Sequence, residues 1–391
     1  MDIATLRNDT PGCTKVLHFN NAGASLPPKH VVGAQIAHIA READIGGYEA
    51  AAEASDEITQ TYRAIANMLG CNPDEVALVE SATRAWDMAF YSLDLSEGDV
   101  ILTSRASYAS NYIAFLQRAK QTGAEIRVVP SEVSGEIDID QMHNLMDDDV
   151  ALVALTHVPT NSGLVNPASA VGALADDADV PFLLDACQSA GQMPLRVDDL
   201  GCTMLSATGR KYLRGPRGTG FLYVRRDWIE RLEPPMLDLH AATWTAIDTY
   251  RIRPDARRFE DFEGHVAGKI ALGVAVDYAL DRGLDRIEAR VQSLADTLRT
   301  HLAALPDVRV YDIGRVQCGI VTFATPQMEA PTIQNKLRAK DINVSVSTPA
   351  STRFDAVTRT LPSLVRASVH YYNTEAEVER FVEALEEILA Q

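Results

Sequence analysis

Residues 207–224 read ATGRKYLRGPRGTGFLYV and set Arg210, Lys211, Arg214 and Arg217 within eight positions of a chain whose formal net charge is −18. Four cations beside a run of glycines could serve a nucleic-acid loop, a phosphate cradle, an idle surface turn, or a reactive lysine held among anion-binding groups. A reactive lysine needs an acid partner and an anion site. Twenty-six residues upstream of Lys211, VPFLLDACQSAG (180–191) ends an apolar run on Asp185, so that carboxylate emerges at the carboxyl edge of a strand. Taken alone, a strand-end Asp reads as a turn or capping residue, and a glycine-flanked lysine reads as exposed.

Together the two suit a pyridoxal phosphate enzyme. There a lysine forms a Schiff base, and an aspartate keeps the pyridine nitrogen protonated so that the ring accepts electrons. The phosphate then needs its own site. In VALVESATRAWDMAF (76–90), a strand runs through Ser81, Ala82 and Thr83 into a helix, which places free backbone N–H groups at a positive helix end. An ordinary N-cap would look the same. Thr208 and Arg210 can add a hydroxyl and a guanidinium to the same dianion. Neither G-x-x-x-x-G-K-[ST] nor G-x-G-x-x-G occurs, so no loop matches a nucleotide phosphate.

The totals exclude several classes. At 391 residues the chain can build a large core and two domains. Its acidity opposes nucleic-acid binding, which needs many Lys and Arg on one face. Five scattered cysteines, with no C-x-x-C, predict reduced thiols in the cytoplasm and no metal site. The first residues, MDIATLRNDTPG, lack an apolar signal core, and no apolar run is long enough for a membrane span.

Continuous apolar runs at 16–19, 76–79, 99–103, 125–129, 150–156, 180–185, 203–207 and 220–224 predict strands buried on both faces of a mainly parallel sheet. Helical patterns lie between several of them. In EITQTYRAIANMLG, Ile58, Tyr62, Ile65 and Leu69 share one face, and Gly70 stops the helix. This alternation predicts an α/β domain over 15–262 whose ligands bind beyond the strands' carboxyl ends. A smaller α+β domain follows over 263–391, with residues 1–14 packing on it. It opens with a long helical stretch (266–304) and closes with a helix whose Thr374 and Glu377 form a capping box.

From HFNNAGASLPP (18–28) to VRASVHYYNT (365–374), the chain resembles the class V aminotransferases among the fold-type I pyridoxal phosphate enzymes. That group includes cysteine desulfurases, selenocysteine lyases and C–S lyases. The stretch 183–225, with its order of Asp, Gln, turn lysine and RGPRGTG, carries most of the likeness. The resemblance implies Lys211 as the Schiff-base lysine, Asp185 on the pyridine nitrogen and Gln188 on the ring's phenolic oxygen. It implies Ala82, Thr83, Thr208 and Arg210 around the phosphate, Tyr108 stacked on the ring, and Asn161 near the ring oxygen. Arg366 would clamp the substrate carboxylate, with Asn21 and Tyr48 on the substrate side. It also implies a homodimer in which residues around 259–265 approach the partner's cofactor.

The chain departs from the desulfurases at two places. They carry a nucleophilic cysteine shortly before the carboxylate-binding arginine, whereas SVSTPASTRFDAVTRTLPSLVRAS (345–368) has none. They also carry a threonine from the neighbouring subunit where this chain has Glu263. Without the thiol, the resemblance implies β-elimination by a C–S lyase, closest to the cystine lyase and hercynylcysteine sulfoxide lyase branch. The substrate would be cystine, an S-substituted cysteine or a sulfoxide. Desulfuration, transamination and epimerisation stay open as alternatives, and a non-enzymatic cofactor-binding regulator is the rival of another class.

Overall fold

The structure, a computed structural model, describes residues 1–391. Seven strands form the large sheet in the order Val76–Val79, Gly220–Val224, Met204–Thr208, Phe182–Asp185, Val150–Thr156, Val100–Ser104 and Glu125–Val129. All pairings are parallel except those of Gly220–Val224, which runs antiparallel to both neighbours. The continuous apolar runs are explained by burial on both faces. Leu184, Leu205 and Phe221 join one buried cluster, while their neighbours Leu183, Met204 and Leu222 join the cluster on the other face. The edge strand Glu125–Val129 is mostly open to solvent, whereas the other strands are buried almost throughout.

A second, antiparallel sheet has the order Arg309–Val310, Ile320–Ala324, Leu364–Ser368 and Ser345–Ser347. The helical stretch expected over 266–304 is two helices. Gly283 takes φ +82° and divides it into Val266–Arg282 and Leu284–Ala304. The first packs against Lys29–Ile45 and Ser55–Leu69, and the second against the small sheet and the helix Glu375–Leu389. That last helix has the predicted capping box at Thr374 and Glu377. A hairpin of Ala242–Ala246 and Thr249–Ile252 stands out with Trp244 and Ile247 exposed.

The N-terminal segment stitches the two sheets together. Leu17–His18 pairs in parallel with Ile342–Asn343, and Asn20 bridges to Ser368. Arg7 donates to Glu377 at 2.8 Å and to the Tyr372 carbonyl. Arg214 belongs to this seam. It is fully buried at φ +61°, donates to Leu26 O, to the Tyr371 hydroxyl and to Thr10 Oγ1, and lies 4.4 Å from the Tyr372 ring centroid. Neutral acceptors and aromatic faces thus hold its charge. Arg217 is exposed. Two of the four clustered cations therefore lie outside any chemistry.

Candidate active site

Five chain segments leave the carboxyl edge of the large sheet on one side. Strand Phe182–Asp185 delivers Asp185 and Gln188, and strand Met204–Thr208 delivers Arg210 and Lys211. Strand Val150–Thr156 leads to Asn161, Val100–Ser104 to Tyr108, and Val76–Val79 to Ala82 and Thr83. This is where an open α/β sheet binds ligands. The turn after Asp185 lies hard against the lysine's own segment. Gly191 has φ +83°, and a Cβ there would meet the Tyr212 and Leu213 backbone at 2.6 Å, so only glycine fits.

Asp185 is 6% exposed. Burial pushes its carboxyl up from the usual range, while the Lys211 ammonium, the Cys187 N–H and the Asn111 amide oppose the shift. Cys187 N donates to Oδ1 and Asn111 Nδ2 to Oδ2, each at 2.9 Å. Gln188 is buried; its Nε2 donates one proton to Ala22 O, leaving the second proton and an unpartnered Oε1. Burial pushes the Cys187 thiol up, so it stays protonated. Behind this floor His157 is held neutral, pushed down to about 4 by burial, with Nδ1 on Ser189 Oγ.

Three elements meet at the phosphate end. Helix Ala82–Phe90 is capped by Ser81, whose side chain accepts from Arg84 N, and the N–H groups of Ala82 and Thr83 have no intrahelical acceptor. Strand Gly220–Val224 comes so close that a Cβ on Gly220 would stand 2.8 Å from Ser81 C and 3.1 Å from Ala82 N. Arg210 contributes a buried Nη1 with no partner. Thr208 also lies here, but its hydroxyl proton goes to Thr219 O at 3.2 Å. The nearby Arg84 makes a two-oxygen pair with Asp261.

Arg366 enters from the central region of the small sheet, between Thr322 and Ser345. It is 8% exposed, and its partners are all neutral: Thr160 through Oγ1 and carbonyl, and Asn20 Oδ1. Its Nε has no partner at all. Burial is the largest influence lowering its pKa, and the like charge of Arg210 adds to it. A buried cation without a counter-ion is a site for an anion from outside. Tyr108, 39% exposed, lies near Arg366, and its N–H is pinned to Thr156 Oγ1.

The segment that lacks a cysteine closes this side. Pro349–Thr352 is a single 3-10 turn that runs into helix Arg353–Arg359. Thr352 Oγ1 accepts from Asn161 Nδ2, which leaves Asn161 Oδ1 buried and unpartnered. Asp355, 1% exposed, is held by Arg105 and Arg359, each at 3.2 Å.

Two expected substrate-side residues are placed elsewhere. Asn21 is fully buried and its side chain is spent on His18 O, Ser368 O and the Tyr372 hydroxyl, so its task is structural. Its neighbour Asn20 is the one that reaches Arg366. Tyr48 is 75% exposed on the short helix Gly47–Glu53. The sequence reading also missed Asn111, Thr160 and Thr352. Of these only Asn111 carried a signal, since it follows Tyr108 by one helical turn.

Gln188 Oε1, Asn161 Oδ1, Arg210 Nη1 and Arg366 Nε are all buried without partners, Lys211 lies by Asp185 and Cys187, and Arg210 lies near enough to act on both Cys187 and Arg366. An aldehyde-bearing aromatic with a basic ring nitrogen and a phosphate dianion satisfies this donor set. The residues therefore fit pyridoxal phosphate. The aminotransferase class-V family model matches residues 17–381. A probable cysteine desulfurase of Methanothermobacter thermautotrophicus is 26% identical over 390 residues, covering 98% of this chain and 97% of that one. One from Xylella fastidiosa is 29% identical, covering 95% and 90%. The apo cysteine desulfurase of Thermococcus onnurineus superposes with a TM-score of 0.91 at 25% identity over 99% of this chain and 98% of that one. A cystine C–S lyase solved with its product cysteine persulfide superposes with a TM-score of 0.85 at 22% identity, covering 96% and 98%, a likeness of fold.

Proposed function

Because the chain belongs to the class V aminotransferase family, we propose that it is a pyridoxal phosphate-dependent C–S lyase. It would act by β-elimination on cystine, an S-substituted cysteine or a cysteine sulfoxide, yielding pyruvate, ammonia and a sulfur-containing fragment. The carrying observation is that the segment latched to Asn161 beside Arg366, residues 345–368, holds no thiol.

When bound, pyridoxal phosphate supplies an electron sink for the charge left as a proton leaves the substrate's Cα. The chain's own residues do the rest. The planar fork of Arg366 takes the substrate carboxylate in two parallel hydrogen bonds, with Thr160 and Asn20 fixing its plane without neutralising it. The Lys211 amine accepts the Cα proton. Ionised Asp185 holds a proton on the pyridine nitrogen. Arg210 and the N–H groups of Ala82 and Thr83 anchor the phosphate, and Tyr108 offers its ring to a face of the pyridine. The latched segment keeps water off the Arg366 side.

A desulfurase must attack the substrate sulfur with a protein thiolate, leaving a persulfide and releasing alanine, whereas a lyase needs no thiol. Incubation with cystine, S-substituted cysteines and their sulfoxides should therefore give pyruvate and ammonia. Replacing all five cysteines by Ala or Ser should leave kcat within about tenfold, a barrier change of ~1.4 kcal/mol. Cys187→Ala alone provides the same test should the fivefold variant fail to fold. Stoichiometric alanine with a persulfide on Cys187 would overturn the lyase reading. It would favour the second one, a desulfurase, which the desulfurase relatives and the position of Cys187 beside Lys211 support.

We further infer a cytoplasmic homodimer. No helix is long and apolar enough to cross a membrane. Phe262, within residues 259–265, is 58% exposed, and Trp244 of the hairpin is 70% exposed, apolar side chains that a second copy could cover. Sedimentation should show a dimer; a fully active monomer would contradict it.

A further inference from the structure

The first turn of helix Ala109–Thr122 carries Tyr108 at its N-cap and Asn111 three residues on, and Asn111 reaches the end of strand Phe182–Asp185. The helix start is tied to the sheet at Asp185 itself. Thr156, whose hydroxyl accepts the Tyr108 N–H, is the in-register neighbour of Asp185 on the adjacent parallel strand. Asn111 is 4% exposed, and its Nδ2 donates to Asp185 Oδ2 at 2.9 Å while Cys187 N donates to Oδ1. Each carboxylate oxygen thus has one donor, which fixes the plane of the group and leaves lone pairs directed into the site.

We propose that Asn111 is a positioning residue that orients Asp185 and keeps it ionised toward the pyridine nitrogen, so that one helical turn sets both the aromatic wall and the acid of the site. The inference rests on the cofactor reading given above. Burial alone raises the carboxyl of Asp185; of the groups opposing that rise, the Asn111 amide is the one held by a side chain of another element that binds nothing else in the reaction. The charged and titratable groups next to Asp185 are Lys211, Cys187 and, beyond Cys187, Arg210, with Arg366 and Tyr108 further into the site. None of them can take over the donor role of Asn111 at Oδ2.

The test compares the holoenzyme with Asn111→Leu, which has similar volume and no donor, and with Asn111→Asp. For Asn111→Leu, kcat should fall roughly 10- to 100-fold, as for loss of a hydrogen bond to a charged group. KM should move by less than about threefold, because Asn111 does not touch substrate. The pH titration of the visible cofactor band should also shift. In Asn111→Asp two carboxylates share one contact and cannot both ionise. Its deficit should be large at alkaline pH and shrink as the pH falls, when the protonated carboxyl at 111 regains a donor. Asn111→Asp carries the test should Asn111→Leu not fold. Normal kcat and an unshifted titration in both variants would overturn the inference. So would weaker cofactor binding alone, with kcat per bound cofactor unchanged, since that marks a merely structural residue. If borohydride fixes no cofactor to Lys211 of the unaltered protein, the cofactor reading fails and this inference with it.

Discussion

Lys211→Ala should abolish turnover while leaving a folded protein. The lysine sits in a turn three residues beyond strand Met204–Thr208, and its ammonium is the largest influence offsetting the burial of Asp185. Two roles disappear together with the amine: covalent attachment of the cofactor, and proton removal at Cα. Acid–base catalysis by a placed side chain is worth roughly 10²- to 10⁴-fold, and the loss of attachment adds to it. A fall in kcat of at least about 10³-fold, or ~4 kcal/mol, is expected. The unaltered protein should be yellow, and peptide mapping after borohydride reduction should find the cofactor on Lys211. Lys211→Ala should still bind pyridoxal phosphate through Arg210 and the Ala82 helix end, but lose the label. A reduced adduct on any other residue, or a variant with near-normal kcat, would remove the basis for the mechanism.

The site's floor was legible in the sequence because it lies at strand ends. A run such as FLLD has one physical reading, a strand buried on both faces, and its last polar residue must emerge at the carboxyl edge; Asp185 and Lys211 follow from that. Arg366 was found by its likeness to a motif, and the structure adds that its partners are neutral. What stayed hidden depends on register and long-range packing. In the pair Asn20-Asn21, Asn20 ends a bridge to Ser368 and Asn21 opens a turn. Nothing local says which one meets Arg366, and it is Asn20 that does. Arg214 sits three residues after Lys211, and the sequence assigns it no role. Its guanidinium closes a seam between Thr10, Leu26 and Tyr371, far apart in the chain. Asn111 is 74 residues from its partner Asp185. The break at Gly283 escaped notice because the apolar pattern continues across it, although the two helices pack on different layers.

The second large effect is expected from Asp185→Asn, and the sign of its stability change separates a chemical role from a structural one. Burial raises the folded-state pKa of Asp185 above the ordinary carboxylate value of 3.8. The folded apoprotein therefore binds the proton more tightly than the unfolded chain does. Its stability falls as pH rises from the unfolded value through the raised folded one, and above both the ionised group is a net cost. Asn has the same shape and no charge, so apo Asp185→Asn should unfold at the same or a higher temperature than the unaltered apoprotein at neutral pH. The two should converge as the pH drops below the ordinary carboxylate range. Turnover should move the opposite way. A neutral amide cannot hold a proton on the pyridine nitrogen, and a preorganised contact of this kind is worth roughly 3–4 kcal/mol of barrier, a loss of about 10²- to 10³-fold in kcat. The cofactor should stay attached to Lys211, since the phosphate ligands and the lysine are untouched. A thermal scan of the apoprotein across pH, set beside kcat of the holoenzyme, decides the matter. A variant that loses stability and activity in parallel would make Asp185 a structural acid, and near-normal kcat would remove it from the reaction altogether.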